Sequence, residues 1–339
     1  MKKITIKDVA NKANVSPSTV SRVISDNPNI SQDTKDKVRK IMKDLNYHPN
    51  AIARSLVNQK TNTLGLVMSR PTEMAFANPF FSEVIQGIAQ STKERHYHLM
   101  ISAAENYKTE YEETIKLYKD GRVDGLILMA SRVNDKLISS LKDINCPFVL
   151  IGRCPEFTDI PRVDNANIEA AYKMTDFLIK KGNNRIALIS GPADYIVSRD
   201  RIKGYKNALE DNGLSFSDEL IEYAEFDYDS GYKATEKLLK NDLAKVDHIF
   251  ALDDLLAVSA INCLIDNGYS IPEDIGVVGF NDQPIAKYIN PKLTTVKVPI
   301  QEMGKKAAEM LIKIINDKSY HGEEIIIPTQ IISRQTHRD

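Results

Sequence analysis

No run of about 18 apolar residues occurs anywhere in the 339-residue chain, which excludes a transmembrane helix. The opening segment, MKKITIKDVA, lacks an apolar signal core, and the chain is expected to remain in the cytoplasm. Cysteine is scarce: Cys146, Cys154 and Cys263 fit no metal-ligand spacing and read as small hydrophobes of a reducing compartment. Gly-x-Gly-x-x-Gly, the phosphate-cradling Gly-x4-Gly-Lys, His-Glu-x-x-His and Gly-x-Ser-x-Gly are all missing. The six histidines are scattered, and the adjacent carboxylates Asp253 and Asp254 would point apart at a strand end. No catalytic residues, metal or cofactor are therefore expected, and the chain is not read as an enzyme.

Glutamate is absent from residues 1–60, which hold 12 Lys/Arg against 5 Asp, a balance of +7. The remainder holds 33 basic and 41 acidic residues, a balance of −8. A basic head on an acidic body suits a nucleic-acid-binding module attached to a domain that does not bind nucleic acid. At 42% hydrophobic and 27% charged the chain is globular, and its length calls for two or three domains.

The head patterns as three short helices. Thr5 is placed to cap Ile6–Asn14, with Asp8 closing a capping box and Val9, Ala10 and Ala13 forming one apolar face. Asn14-Val15 makes a turn. Ser16 caps a second helix, Pro17–Ser25, whose proline stands where the missing N–H costs nothing. Val20 and Val23 face inward, and Ser18, Thr19, Ser21 and Arg22 face out. Ser31 caps a third, Gln32–Leu45, with Val38, Ile41, Met42 and Leu45 inward and Lys35, Lys37, Arg39, Lys40 and Lys43 outward. This is a helix-turn-helix, whose second helix enters the DNA major groove. Hydroxyls at Ser16, Ser18, Thr19 and Ser21 suit phosphates or adaptable base contacts, and Arg22 has the fork that reads guanine. The expected DNA-facing set on the head is Thr5, Ser16, Pro17, Ser18, Thr19, Ser21, Arg22 and Asn29.

The string T-I-K-D-V-A-x-x-A-x-V-S-x-x-T-V-S-R-V, followed by Asn46-Tyr47-His48-Pro49-Asn50-Ala51-Ile52-Ala53-Arg54-Ser55-Leu56, resembles the lactose-repressor family. About twenty positions match in order at fixed spacing, and the resemblance continues through the chain. Pro49 can start a short helix over Asn50–Asn58, too short to be stable alone in water. The resemblance makes it the hinge helix that enters the minor groove beside its partner copy. Asn50, Ala53 and Leu56 would then contact DNA, with Leu56 wedged into the central base step. The resemblance also implies a pseudo-palindromic double-stranded operator and a homodimer.

From Leu64 onward, strand-length apolar runs (Leu64–Met68, His98–Ala103, Gly125–Met129, Phe148–Ile151, Arg185–Ile189, His248–Ala251, Gly276–Gly279) alternate with amphipathic helical stretches. This pattern predicts two parallel α/β sheets. It resembles the periplasmic-binding-protein-like core that the family carries, in which a small ligand lies between two lobes at the strand ends. The expected architecture is a small all-α helix-turn-helix headpiece (1–48), a hinge helix and linker (49–63), and a two-lobed α/β effector-binding and dimerisation domain (64–339). The lobes are expected to be discontinuous, with the chain crossing near 164 and 293.

Sugars call for planar hydrogen-bonding groups and aromatic faces. The resemblance implies that Arg201, in Ser198-Arg199-Asp200-Arg201-Ile202-Lys203-Gly204-Tyr205, meets the ligand; a structural salt bridge is the alternative. Asp253 matches a ligand position, against helix capping. Asn281 stands where many members have Asp, which loses a charge but keeps two-way hydrogen bonding. Phe226 aligns with a stacking position, against a core role. Ser69, Asn78, Phe80 and Phe81 lie where relatives face the cleft, and Arg153 and Tyr195 complete the expected effector set. Asp164-Asn165 is read as a structural element at the lobe crossing.

Pro147-Phe148-Val149-Leu150-Ile151-Gly152-Arg153 and Asn78-Pro79-Phe80-Phe81 most resemble maltose-operon repressors within the family. The function this implies is repression of a carbohydrate-utilisation operon under control of a small sugar, of maltose type. Alternatives are a catabolite-control regulator whose corepressor is a phosphorylated carrier protein, a nucleoside-responsive repressor, an activator, and a transport binding protein. The helix Phe80–Arg95 and the segment Asn281–Tyr288 are the expected dimer seam. No leucine-heptad tail follows Ile325–Ile332, so a dimer is expected rather than a tetramer.

Overall fold

The computed structural model describes residues 4–47, 60–104, 106–129, 132–240 and 246–338. The expected hinge helix, with Asn50, Ala53 and Leu56, lies outside the described residues. The chain divides into two compact units, Met1–Thr61 and Asn62–Asp339.

In the first unit, α1 (Ile6–Ala13), α2 (Pro17–Ile24) and α3 (Gln32–Asp44) pack around Val9, Ala10, Ala13, Val20, Val23 and Val38. Asp8 accepts from both the backbone N–H (2.8 Å) and the hydroxyl (2.7 Å) of Thr5, and so fixes the start of α1. Asn14, with φ +55°, ends α1 in the left-handed conformation that asparagine tolerates and makes the tight turn. Ser16 Oγ accepts from Thr19 N (3.0 Å) to cap α2. One expectation fails here. Lys35 is not on the outer face of α3 but buried, its Nζ 3.0 Å from Asp26 Oδ1 at the end of α2. Arg39 meets the same carboxylate at 2.6 Å. The long lysine stem covers apolar surface while its ammonium finds a carboxylate at the rim.

The second unit is built on two six-stranded sheets. The first contains β1 (Thr63–Pro71), β2 (His98–Ala104), β3 (Gly125–Leu128), β4 (Phe148–Ile151), β5 (Arg162–Asp164) and β11 (Glu324–Ile326), in the order β11-β5-β4-β3-β1-β2. The second contains β6 (Ile186–Ser190), β7 (Ile221–Tyr223), β8 (His248–Ala251), β9 (Gly276–Asn281), β10 (Thr294–Lys297) and β12 (Gln330–Ile332), in the order β12-β10-β9-β8-β6-β7. All the pairings are parallel except β10 with β12. Strands β3, β4, β6, β8 and β9 are buried at every position, because helices cover both faces and force continuous apolar runs.

The covering helices are α4 (Thr72–Ala77), α5 (Pro79–Glu94), α6 (Tyr107–Lys119), α7 (Lys136–Asp143), α8 (Asn167–Lys180), α9 (Ile196–Asp211), α10 (Tyr228–Lys240), α11 (Asp254–Asp266), α12 (Ile285–Tyr288) and α13 (Ile300–Asn316). Helices α5 and α13 touch backbone to backbone through two glycines. A Cβ on Gly87 would lie 1.9 Å from the carbonyl oxygen of Gln301, and one on Gly304 would lie 2.3 Å from that of Val84.

The chain leaves the first sheet after β5 and returns to it after β10. The second crossing was expected near 293; β10 still pairs with β9, so it falls after Lys297. A third crossing, which the pattern did not reveal, separates β11 from β12.

Candidate functional site

On the first unit, Thr5, Ser16, Pro17, Ser18, Arg22 and Asn29 are exposed, while Thr19 and Ser21 are half-buried. Val20 and Val23 anchor one side of α2 in the small core, which turns Ser18 and Arg22 outward. Lys37, Arg39, Lys40 and Lys43 are exposed on α3. The surface thus joins small hydroxyls, a free-standing helix start and several cations, the donor types that phosphate oxygens and base edges accept.

In the second unit a cavity of about 80 Å³ opens between the two sheets, at the C-terminal ends of their strands. Asn78, Phe80, Phe81, Arg153, Arg201, Phe226, Asp253 and Asn281 all line it. Asn78 caps α5 by accepting from Phe80 N (2.9 Å), and Asp253 caps α11 by accepting from Leu255 N (2.8 Å). Helix capping and cavity lining are therefore not alternatives for Asp253: one oxygen caps and the other faces Asn78, Asn281 and Gln283. Oδ2 accepts from Asn281 Nδ2 (2.9 Å), Asn78 Nδ2 (3.3 Å) and Gln283 Nε2 (3.3 Å). The second acceptor of Asn281, Oδ1, is buried and finds no hydrogen-bond partner among the described residues.

Arg201 is buried. Its Nε donates to Asn167 Oδ1 (2.9 Å), its Nη1 to the carbonyl of Leu252 (2.5 Å), and its plane lies 3.7 Å above the Phe280 ring. Burial pushes this guanidinium down to about 10, opposed by Asp253 and Asp164, so it stays charged at neutral pH. Arg153 grips Asp200 through both Nε and Nη2. Burial raises the Asp164 carboxyl above its usual range.

Two expected residues stand elsewhere. Ser69 lies in β1, and Tyr195 precedes α9 outside the cavity lining. The Tyr195 ring packs edge-on against Phe226 at 6.5 Å, and its hydroxyl accepts from Arg132 Nη2 (3.1 Å). Tyr195 thus supports the cavity wall from behind and joins the loops after β3 and β6. Conversely, Asp164 and Asn165, read as structural, line the cavity together with Asn167 and Asp200. Strand β5 is only three residues long, so nothing in the pattern marked Asp164 as a strand end. Asp200 carried a signal: a carboxylate next to Arg201 whose helical position falls on the buried side.

A helix-turn-helix unit followed in the same chain by a two-lobed periplasmic-binding-protein-like unit defines a DNA-binding transcription regulator. Residues 5–50 match the family described as bacterial regulatory proteins, lacI family, and residues 175–337 match the periplasmic binding protein-like domain. The HTH-type transcriptional regulator MalR of Streptococcus pneumoniae is 38% identical over 318 residues, covering 93% of either chain. A solved complex of the transcriptional regulator CelR with cellobiose superposes with a TM-score of 0.77 at 31% identity, over 98% of this chain and 99% of that one. The lac repressor dimer bound to operator and an anti-inducer shares the fold, with a TM-score of 0.86 at 23% identity over the whole of both chains. The chain belongs to the lactose-repressor family of bacterial transcriptional regulators. Its relatives are regulators, and it is likewise not an enzyme. No helix among the described residues is long and apolar enough to cross a membrane.

Proposed function

We propose that this protein represses a carbohydrate-utilisation operon and that a small sugar in the cleft between its lobes, of maltose type, controls its hold on operator DNA. The observation that carries the reading is the convergence of planar hydrogen-bonding groups (Asp164, Asn167, Arg201, Asp253, Asn281) with the rings of Phe80 and Phe226 around one cavity. Hydroxyl groups pair with the first kind of surface, and the C–H face of a sugar ring lies on the second. The names of the similar proteins, a maltose-type regulator and a cellobiose complex, support a glycoside.

The headpiece reads a pseudo-palindromic operator as one half of a homodimer in the cytoplasm. Ser16, Pro17, Ser18, Thr19, Ser21 and Arg22 of α2, with Thr5 and Asn29, form its groove and phosphate contacts, and Asn50, Ala53 and Leu56 its hinge contacts. The dimer seam runs along α5 and the segment Asn281–Tyr288, where Tyr288 is 83% exposed. Ser69 and Tyr195 belong to the effector neighbourhood, Tyr195 indirectly through Phe226. Sugar binding shifts the population of lobe arrangements, and the shift can be no larger than the sugar's differential affinity for them.

The test is operator binding in a gel shift with maltose, other sugars and nucleosides added singly. Release by a sugar is expected. A panel in which only nucleosides act would replace the effector half of the reading. Leu56→Ala should weaken specific operator binding far more than non-specific binding.

A further inference from the structure

The charged groups of the cavity are two guanidinium groups, Arg153 and Arg201, and three carboxylates, Asp164, Asp200 and Asp253; no lysine or histidine lines it among the described residues. Both cations are committed. Arg153 meets both carboxylate oxygens of Asp200, a side chain only 5% exposed. Arg201 is spent on Asn167, the carbonyl of Leu252 and the face of Phe280. A phosphoryl group carries a charge of about −1.5 to −2 at neutral pH and needs uncommitted donors, preferably an arginine fork. In this cleft it would instead meet Asp164 and Asp253. An uncharged sugar faces no such conflict, because its hydroxyls donate to carboxylates and to the open acceptor of Asn281.

We propose that Asp200 is a specificity-determining residue: by neutralising Arg153 it closes the cleft to phosphorylated sugars, so that the effector is an uncharged, unphosphorylated glycoside. This rests on the sugar reading above and narrows it. It also places the effector in a sequence of reactions. The step that supplies it delivers a free sugar, as an uptake step without phosphoryl transfer or a glycoside hydrolysis does.

The test uses the full-length protein in calorimetric titrations and operator gel shifts with a panel of matched pairs, among them maltose with maltose 6′-phosphate and glucose with glucose 6-phosphate. For the pair that contains the effector, the phosphorylated member is expected to bind roughly tenfold more weakly or worse. Asp200→Asn leaves Arg153 with a neutral partner and should narrow or reverse that preference by gaining affinity for the phosphorylated member. Adding Arg153→Gln to Asp200→Asn should abolish the gain, which separates a charge effect from general loosening of the site. Equal or tighter binding of a phosphorylated sugar by the unmutated protein overturns the proposal and leaves the sugar reading standing. A panel with no response in either column sinks the sugar reading and this proposal with it. Should Asp200→Asn fail to fold, the comparison on the unmutated protein decides alone.

Discussion

The side-chain amide of Asn78 donates to Asp253 across the cleft at 3.3 Å, and each of the two residues is at the same time the N-cap of a helix, α5 in one lobe and α11 in the other. Two helix starts thus face each other through their caps, and the link is reinforced by Gln283 Nε2, which donates to Asn78 Oδ1 at 3.1 Å. A cap needs only an acceptor, so Asn and Asp serve it equally. The bridge needs a donor on one side, which Asn78 alone provides to Asp253 and to the carbonyl of Phe226 (3.2 Å).

Asn78→Asp follows directly. The cap on α5 survives, but a second carboxylate now opposes Asp253, and the juxtaposition favours parted lobes. Effector affinity should fall roughly tenfold or more by calorimetry, with an increase in the radius of gyration by small-angle scattering. Unchanged affinity and radius would mean that the bridge does not hold the lobes.

Gly87→Ala addresses the first lobe. The added Cβ would overlap the Gln301 carbonyl, a backbone atom that cannot swing aside, so α5 and α13 must separate. A loss of about 1–3 kcal/mol in unfolding free energy is expected by urea denaturation. Gly121→Ala, at an open surface turn with φ +62°, tests the other source of cost, since its Cβ meets nothing and only backbone strain remains.

Asp254 makes stability depend on pH. Burial pushes its carboxyl up to about 8, with neighbouring Asp253 adding to the effect and the Thr295 hydroxyl opposing it. Between the ordinary value of 3.8 and about 8 the folded chain holds a proton that the unfolded chain has lost. The contribution is therefore complete below the lower value and disappears as pH rises through the upper one. The urea midpoint should decline from pH 5 to pH 8. Asp254→Asn should flatten that decline, because the amide accepts from Gln283 N, as Oδ2 does now at 2.6 Å, and donates to Thr295 Oγ1 without titrating. A variant with the same slope would show that the titration lies elsewhere.

Arg22 is exposed on α2 while Val20 and Val23 hold the other side of that helix in the core. Arg22→Ala should leave the headpiece folded and relax base preference at one operator position by about 1–3 kcal/mol, read from a set of single-base operator variants. A uniform loss across all of them would instead make Arg22 a phosphate contact.

Local chemistry made much of this protein legible from its residues alone. Caps at Thr5 and Ser16, a proline at the first position of α2 and periodic valines are signals a few residues long, and they sufficed for the helix-turn-helix. Long apolar runs such as Phe148–Ile151 and His248–Ala251 announced buried parallel strands. Strands β5, β7, β11 and β12, each of three residues, carry too little periodicity to be seen, and with β5 went the placing of Asp164. What tertiary structure alone decided are the partnerships of charge and amide between distant segments. Arg153 meets Asp200 across 47 residues and Asn78 meets Asp253 across 175, because two separately wound sheets present the same ends to each other. Lys35 changed faces for the same reason, since the carboxylate that draws it inward belongs to a different helix end. A sequence states which groups are available, but a buried charge is settled only by what stands opposite it.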